Sequence, residues 1–219
     1  MGGTMISHPS DVKRPKRRTL WVVQQGERHT SPFAFVLAGF GDAWVAAGLA
    51  SAIGREYTVF ALQPGDGTEG LAEPELSARY AEQLLKAQPD GPYCLGGYSA
   101  GAVMALAIAI QLRARGREVA LVAPLDPMFI RYTRFEHLSY LLLQRVCGAI
   151  QKVLPWQPRV LKILAAMFQD EGLDAHLKAL AGYRMERYPD EITLFQSSVS
   201  FGRSPLLVRQ WKWLSLIHI

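Results

Sequence analysis

A five-residue turn, Gly97-Tyr98-Ser99-Ala100-Gly101, constrains this chain more than any other feature of its sequence. The turn follows a short apolar run and opens a long helical segment. A serine on so sharp a strand-to-helix turn takes a strained backbone, and the two flanking glycines let strand and helix approach closely. The hydroxyl then projects above the sheet, beside a helix N-terminus that favours negative charge. We predict that Ser99 is a nucleophile; the alternative is a glycine-rich turn with an idle serine.

The rest of the chain alternates short apolar runs with helical segments. The predicted strands cover 33–37, 57–62, 93–97, 119–125 and 191–195, and the helices between them 43–53, 74–87 and 100–115. This alternation predicts an α/β fold in which helices flank a parallel sheet. Residues 131–187 read as almost entirely helical. We predict a helical lid over about 128–188; the alternative is a helical subdomain that only packs.

Charge and cysteine content limit the domain organisation, the partners and the cellular location that the chain can have. The formal net charge is +5, and the run KRPKRR at 13–18 supplies five positive charges, so the remainder is close to neutral. We predict a basic disordered tail or linker over 1–20 and a folded domain over 21–213, with no nucleic-acid or membrane partner. Cys94 and Cys147 lack metal-ligand spacing, and no apolar run follows the basic residues as in a signal peptide. We expect no metal site and a cytoplasmic location.

A serine nucleophile on such a turn works with a histidine base and an acidic residue. Along the chain, the acid follows the serine and precedes the histidine. Asp126 stands at the end of the 119–125 strand, at the sheet edge where active-site groups gather. The next strand is followed by Gln196-Ser197-Ser198, which contains no carboxylate. Asp126 is therefore the predicted acid that orients the imidazole. The alternative is an aspartate that caps the lid helix.

The negatively charged oxygen that forms when the serine attacks a carbonyl, the oxyanion, needs two backbone N–H groups as hydrogen-bond donors. One should be the N–H of Ala100, directly after the nucleophile. The other should come from the loop after the first predicted strand, residues 38–42, where two glycines permit a backbone turn. We predict the N–H of Phe40 as this second donor.

The five histidines leave the base unassigned. His8 and His29 precede the serine, while His137 and His176 lie in predicted lid helices and are expected to be surface or packing residues. His218 falls in the last six residues, 214–219. A DNA sequence that encodes these six residues is the end sequence of a common transposon-based sequencing adapter. We therefore predict that 214–219 are a non-native tail and that the catalytic histidine is not present in this chain. The alternative is a genuine C-terminal strand.

The segments GPYCLGGYSAG at 91–101 and LDP at 125–127 resemble the thioesterase domains of nonribosomal peptide and polyketide synthases, which belong to the α/β-hydrolase superfamily. The likeness covers about 22–213 and is strongest over 91–127. It implies an α/β-hydrolase fold with a mostly parallel sheet and a helical lid. It also places the acid at Asp126 and the histidine in a Gly-x-His segment one strand beyond this chain. Ala38 departs from the family, because many relatives have histidine there.

The resemblance implies an enzyme that acts on thioesters. Ser99 would take an acyl or peptidyl chain from the phosphopantetheine arm of a carrier protein, fused upstream, and release it by hydrolysis or cyclisation. The domain itself would need no cofactor. Without the histidine, the chain as printed is expected to be nearly inactive. Three alternatives stay open: a stand-alone editing (type II) thioesterase, another serine esterase, and a non-catalytic acyl-binding module that lacks a histidine base.

Overall fold

A computed structural model provides the structure of the protein. It describes residues 17–27, 30–37, 42–68, 70–127, 138–139, 141–143, 145–146, 149, 171–184, 186–196 and 216–218. The strands are β1 Leu20–Gln24, β2 Phe33–Val36, β3 Val59–Leu62, β4 Tyr93–Tyr98, β5 Val119–Leu125, β6 Glu191–Thr193 and β7 Leu216–His218. The helices are α1 Asp42–Ile53, α2 Glu73–Ala87, α3 Ala100–Ala114 and α4 Glu171–Leu180.

The sheet confirms the predicted α/β architecture. Five strands pair in the order β1-β3-β2-β4-β5, and β1 is antiparallel to β3 while the other pairs are parallel. β6 and β7 form a parallel pair of their own. A parallel bridge between Leu125 and Phe195 joins the end of β5 to the residues after β6, so the two ladders continue each other. The order is therefore β1-β3-β2-β4-β5-β6-β7.

Most of the core lies on one face of this sheet, under α2, α3 and α4; we call this the α3 face. The side chains of Val36, Leu62, Leu95 and Val122 point to it and are buried against these helices. Every residue of α3 from Ala100 to Ala109 is buried, because the helix packs on both the sheet and α2. α3 thereby fixes the position of the turn that precedes it.

Among the elements that the structure describes, α1 alone covers the opposite face, which we call the α1 face. Ala46 and Ala50 of α1 are buried, and Phe35 and Ala61 of the sheet pack beneath it. The cluster is small, and Leu125 at its far side is only half-buried. Within the described part of the chain, the two faces are thus covered very unequally.

Two elements differ from the pattern prediction. Residues 17–20, predicted as part of the tail, are held against the turn after β3: the carbonyls of Arg17 and Thr19 accept hydrogen bonds from the N–H groups of Asp66 and Gln63. A Cβ at Gly65 would lie 2.6 Å from Thr19 Oγ1, so glycine is what permits this close approach. The ordered chain therefore begins before residue 20.

α4 falls inside the range 128–188 that the sequence predicts as a lid. Leu177 and Leu180 of this helix are buried against the α3 face, so this part of the range belongs to the core. Residues 128–137 and 150–170 of the predicted lid lie outside the described residues. Between them, the described residues at 138–149 are helical, and Leu138 and Leu142 are exposed.

Candidate active site

Ser99 lies at the junction of β4 and α3 in a backbone conformation that L-amino acids rarely adopt. Its φ is 54° and its ψ −116°. A Cβ at Gly97 would lie 2.2 Å from the carbonyl oxygen of Gly101 and 2.8 Å from the backbone nitrogen of Ala102. Strand and helix therefore approach each other more closely than any side chain at position 97 would allow. Glycine at position 97 therefore permits the close approach on which the strained turn depends.

The backbone of Ser99 is fixed from both sides. Its N–H donates a hydrogen bond to the carbonyl of Leu125, 3.1 Å away on β5. Its carbonyl accepts one from the N–H of Ala102 in the first turn of α3, at 3.2 Å. Ala100 is the first residue of α3, so its own N–H has no acceptor inside the helix and points outward at the helix N-terminus. A group that faces this end of α3 meets backbone donors and a favourable dipole.

Asp126 stands beside Ser99 at the same edge of the sheet. Tyr98 and Leu125 are register partners on neighbouring parallel strands, so the next residue of each strand is Ser99 and Asp126. Such strands lie about 4.8 Å apart. Asp126 also has a left-handed φ, 38°, and it shares this property with Ser99 alone among the non-glycine residues that the structure describes.

The backbone of Asp126 is anchored to the next strand. Its N–H donates to the carbonyl of Phe195 at 2.8 Å, and the N–H of Phe195 donates to the carbonyl of Pro124 at 2.9 Å. Consecutive backbone hydrogen bonds thus connect Ser99, Leu125, Asp126 and Phe195 across three neighbouring strands. The structure brings the predicted nucleophile and the predicted acid together at the level of the backbone.

The other predicted site residues are unevenly described. Phe40 and residues 38–41 around it lie outside the described part of the chain, as do His8, His29 and His137. For His218 the backbone is described: it ends β7 as the register partner of Thr193. Ala100 and Gly97 are where the prediction places them.

His176 has a packing environment. Its side chain is completely buried on α4, and its Nε2 lies 3.0 Å from the hydroxyl of Tyr80 on α2. The two rings are tilted, with centroids 5.8 Å apart. A histidine enclosed between two helices cannot exchange protons with a substrate at the sheet edge.

One buried titratable group was not predicted from the sequence. Glu73 is the first residue of α2, and its side chain is buried. The pKa of Glu73 is raised to about 7: burial is the largest cause, the hydroxyls of Ser77 and Tyr183 partly offset it, and the charge of Glu186 adds to it. The same carboxyl contributes to a raised pKa of Tyr183, after burial as the larger cause. An acidic residue in the first turn is typical of any helix, so the sequence offered no signal of burial.

Metal and membrane features are absent from the described residues. No group of three or more histidine, cysteine, aspartate or glutamate side chains among them could hold a metal ion. No helix in that same part of the chain is long and apolar enough to span a bilayer.

Comparison with known proteins identifies the class. Residues 38–139 match the sequence model of the family described as "Thioesterase domain". The structure superimposes on the type II thioesterase BorB from the borrelidin biosynthetic cluster with a TM-score of 0.64 and 15% identity, over 91% of this chain and 87% of that one. Together with the parallel sheet and the serine turn, these matches show an α/β-hydrolase fold and a similarity to thioesterase domains.

The relatives in sequence narrow the class to one group. Chondramide synthase cmdD of Chondromyces crocatus is 39% identical over 113 residues, which are 51% of this chain and 3% of that protein. Nonribosomal peptide synthetase apvA of Aspergillus terreus is 30% identical over 212 residues, 90% of this chain and 21% of that protein. The predicted kinship with the thioesterase domains of nonribosomal peptide and polyketide synthases is thus confirmed, and the chain spans only a small part of each synthase.

Proposed function

We propose that Ser99 is the nucleophile of a thioesterase that releases an acyl or peptidyl chain from the phosphopantetheine arm of a carrier protein. The observation that carries this proposal is the backbone of Ser99, with φ 54° at the junction of a buried strand and a buried helix. Such strain persists only where the surrounding structure enforces it, and it is typical of functional positions. The neighbouring Asp126 supplies the acid of the triad on the adjacent strand.

The reaction then follows the general course of serine acyl transfer. The Ser99 hydroxyl attacks the thioester carbonyl and gives its proton to a histidine; the C–S bond breaks, and the departing thiolate takes that proton. The N–H groups of Ala100 and Phe40 stabilise the oxyanion. Asp126 orients the histidine and stabilises its charged form. Water, or a nucleophile within the bound chain, then attacks the ester and releases an acid or a ring.

The histidine has to come from outside the side chains that the structure describes. Among these, His176 is the one histidine, and it is enclosed against Tyr80. The resemblance expects a Gly-x-His segment one strand further along the chain. The base is therefore sought in the continuation of the gene, and a frame without any such histidine would favour the non-catalytic acyl-binding alternative.

The partner in this proposal is a carrier protein. Its support is that the sequence relatives are multidomain synthases, of which this chain matches 3% and 21% in the two cases above. A stand-alone editing enzyme is the second candidate, because the fold superimposes on a type II thioesterase. A carrier domain encoded directly upstream in the same reading frame favours the first candidate over the second.

The test uses the domain at its full native length, expressed from the uninterrupted gene. Acyl-loaded carrier protein is mixed with the enzyme, and mass spectrometry follows both the free product and the acyl group on the enzyme. We expect the acyl group on Ser99, and we expect Ser99→Ala to lower release by about 10³-fold or more. Ser51→Ala, at an exposed position of α1, serves as the matched control and should leave release unchanged.

Two results would overturn the proposal. One is an acyl group on a residue other than Ser99. The other is a Ser99→Ala enzyme that releases product at the rate of the Ser51→Ala control. A preference for free esters over carrier-bound thioesters would instead identify another serine esterase.

A further inference from the structure

The contact between α2 and α4 is polar where two packed helices normally meet through apolar side chains. Glu73, Ser77 and Tyr80 lie four and then three residues apart, so they share one face of α2. All three are at most 1% exposed. The hydroxyl of Tyr80 lies 3.0 Å from Nε2 of His176, a buried residue of α4. We call these four residues, together with Tyr183 after α4, the α2–α4 interface.

Glu73 is poorly compensated in this interface when it is charged. The Ser77 hydroxyl donates to the carbonyl of Pro74 at 3.3 Å, so its one proton is not available to Glu73 at the same time. The hydroxyl of Tyr183 also faces the carboxyl, whereas Glu186 faces it with a like charge. A neutral carboxyl is tolerated in such surroundings, and an ionised one is disfavoured.

The chain that follows α4 is fastened at its far end. Tyr188 is 2% exposed, and Asp190 forms an ion pair with Arg113 at the end of α3, with 2.8 Å between nitrogen and oxygen. Between α4 and these residues lies a turn in which Gly182 has a φ of 81°, a conformation that glycine adopts freely. α4 can therefore separate from α2 by a movement about this turn while β6 stays in the sheet.

α4 belongs to the chain between β5 and β6, and both ends of that chain lie beside the proposed acid. The N–H of Asp126, directly after β5, donates to the carbonyl of Phe195, two residues after β6. We propose that the α2–α4 interface is a pH-sensitive latch, which holds α4 on α2 while Glu73 is neutral and releases it more often once Glu73 is ionised. The latch acts on the returning end of the segment that the sequence predicts as a lid.

The direction and the size of the effect follow from Glu73. Its pKa is about 7 in the closed interface, and we expect the ordinary value of 4.5 once α4 has moved away. Opening therefore becomes more frequent as the pH rises through this range and is constant above it. The full increase is the ratio of the two dissociation constants, about 300-fold.

Other groups of the interface do not produce the same trend. His176 faces Tyr80, and a histidine loses its charge as the pH rises, so its titration would tighten the interface instead of loosening it. Residues 100–112 of α3, which packs on both α2 and α4, contain no charged side chain. An opening that increases with pH is therefore assigned to Glu73.

Hydrogen exchange of the α4 amides, followed by mass spectrometry, measures this opening. Wild type and Glu73→Gln are compared at each pH, so that the pH dependence of the exchange chemistry cancels. We expect the opening of α4 in wild type, relative to the variant, to rise from a few-fold at about pH 5 to about 300-fold at about pH 8. Glu75→Gln, at an exposed position in the same turn of α2, is the matched control and should follow wild type.

Dilute urea separates a local opening from unfolding of the whole domain. Unfolding exposes far more surface, so exchange through it increases steeply with urea, whereas a local opening depends weakly on urea. We expect weak dependence for α4, and steep dependence with better protection for α3. If Glu73→Gln does not fold, wild type alone suffices: its α4 opening, corrected for the exchange rate of an unfolded peptide, should rise by about 70-fold between about pH 5 and about pH 8.

Either of two outcomes refutes the latch. One is a ratio of wild type to Glu73→Gln, or a corrected opening in wild type, that stays constant between about pH 5 and about pH 8. The other is exchange of α4 with the same protection and urea dependence as α3, because α4 would then open only with the whole domain. Both readouts are independent of catalysis, so Ser99 could still be a nucleophile if the latch did not exist.

Discussion

Glu73 provides the sharpest quantitative prediction, because a buried carboxyl makes stability depend on pH in a known direction. Its pKa is about 7 in the folded protein, against an ordinary value of 4.5. Between these values the folded state binds more protons than the unfolded state. The contribution of Glu73 to the free energy of unfolding therefore decreases as the pH rises from 4.5 to 7 and is constant above that range. The difference corresponds to about 3 kcal/mol.

The substitution Glu73→Gln removes the titration but keeps the shape of the side chain. We expect the wild-type protein to lose about 3 kcal/mol relative to this variant between pH 4.5 and about pH 8. The two proteins should be similar in stability at the acid end of the range. Urea unfolding at a series of pH values measures the difference. Other groups that titrate cancel, because they are present in both proteins.

Glu75→Gln is the matched control, since Glu75 is in the same turn of α2 and is exposed. This control should follow the wild-type curve throughout. If the curves of wild type and Glu73→Gln were parallel over the whole range, the carboxyl would not be desolvated in the folded protein, and the reasoning from burial would be refuted.

Two substitutions test the turn around Ser99. Gly97→Ala should destabilise the protein in urea unfolding by on the order of 3 kcal/mol or more, because its Cβ would meet the backbone of Gly101. The control Gly48→Ala, at a position of α1 with open space around it, should be neutral or stabilising. Equal effects of the two substitutions would contradict the close approach at Gly97. Ser99→Gly should raise the free energy of unfolding by about 1 kcal/mol while abolishing acyl transfer, because glycine tolerates a positive φ; an unchanged or lower stability would show that the backbone of Ser99 is not strained.

Much of the sheet was predictable because its strands are short and apolar. The strand 119–125 and the helices that flank it follow from hydrophobic period and turn residues, and β5 has the predicted bounds. β1 was not predictable in this way. It is an antiparallel edge strand with Val22 exposed, and it follows a basic segment that gives no strand signal. Its position depends on a contact with β3, about forty residues later.

α4 shows a different limit of sequence reasoning. Its apolar stripe identifies an amphipathic helix, and the same stripe suits a lid or a core helix. Whether α4 is a lid or a core helix depends on Tyr80 and the other residues of α2, against which His176 and Leu177 pack. Glu73 has the same difficulty, since an acid in the first turn of a helix is ordinary until the segment around Tyr183 covers it.

The site around Ser99 depends on more of the chain than its motif. The contact between Gly97 and Gly101 is local, and the sequence predicts it. The hydrogen bonds that fix Ser99 to Leu125, and Asp126 to Phe195, are not local. The family match over 38–139 includes Ser99 and Asp126 but excludes Phe195. Because Asp126 has a strained φ that neighbouring structure must enforce, the strand end at Phe195 matters as much as the aspartate itself for the position of the proposed acid.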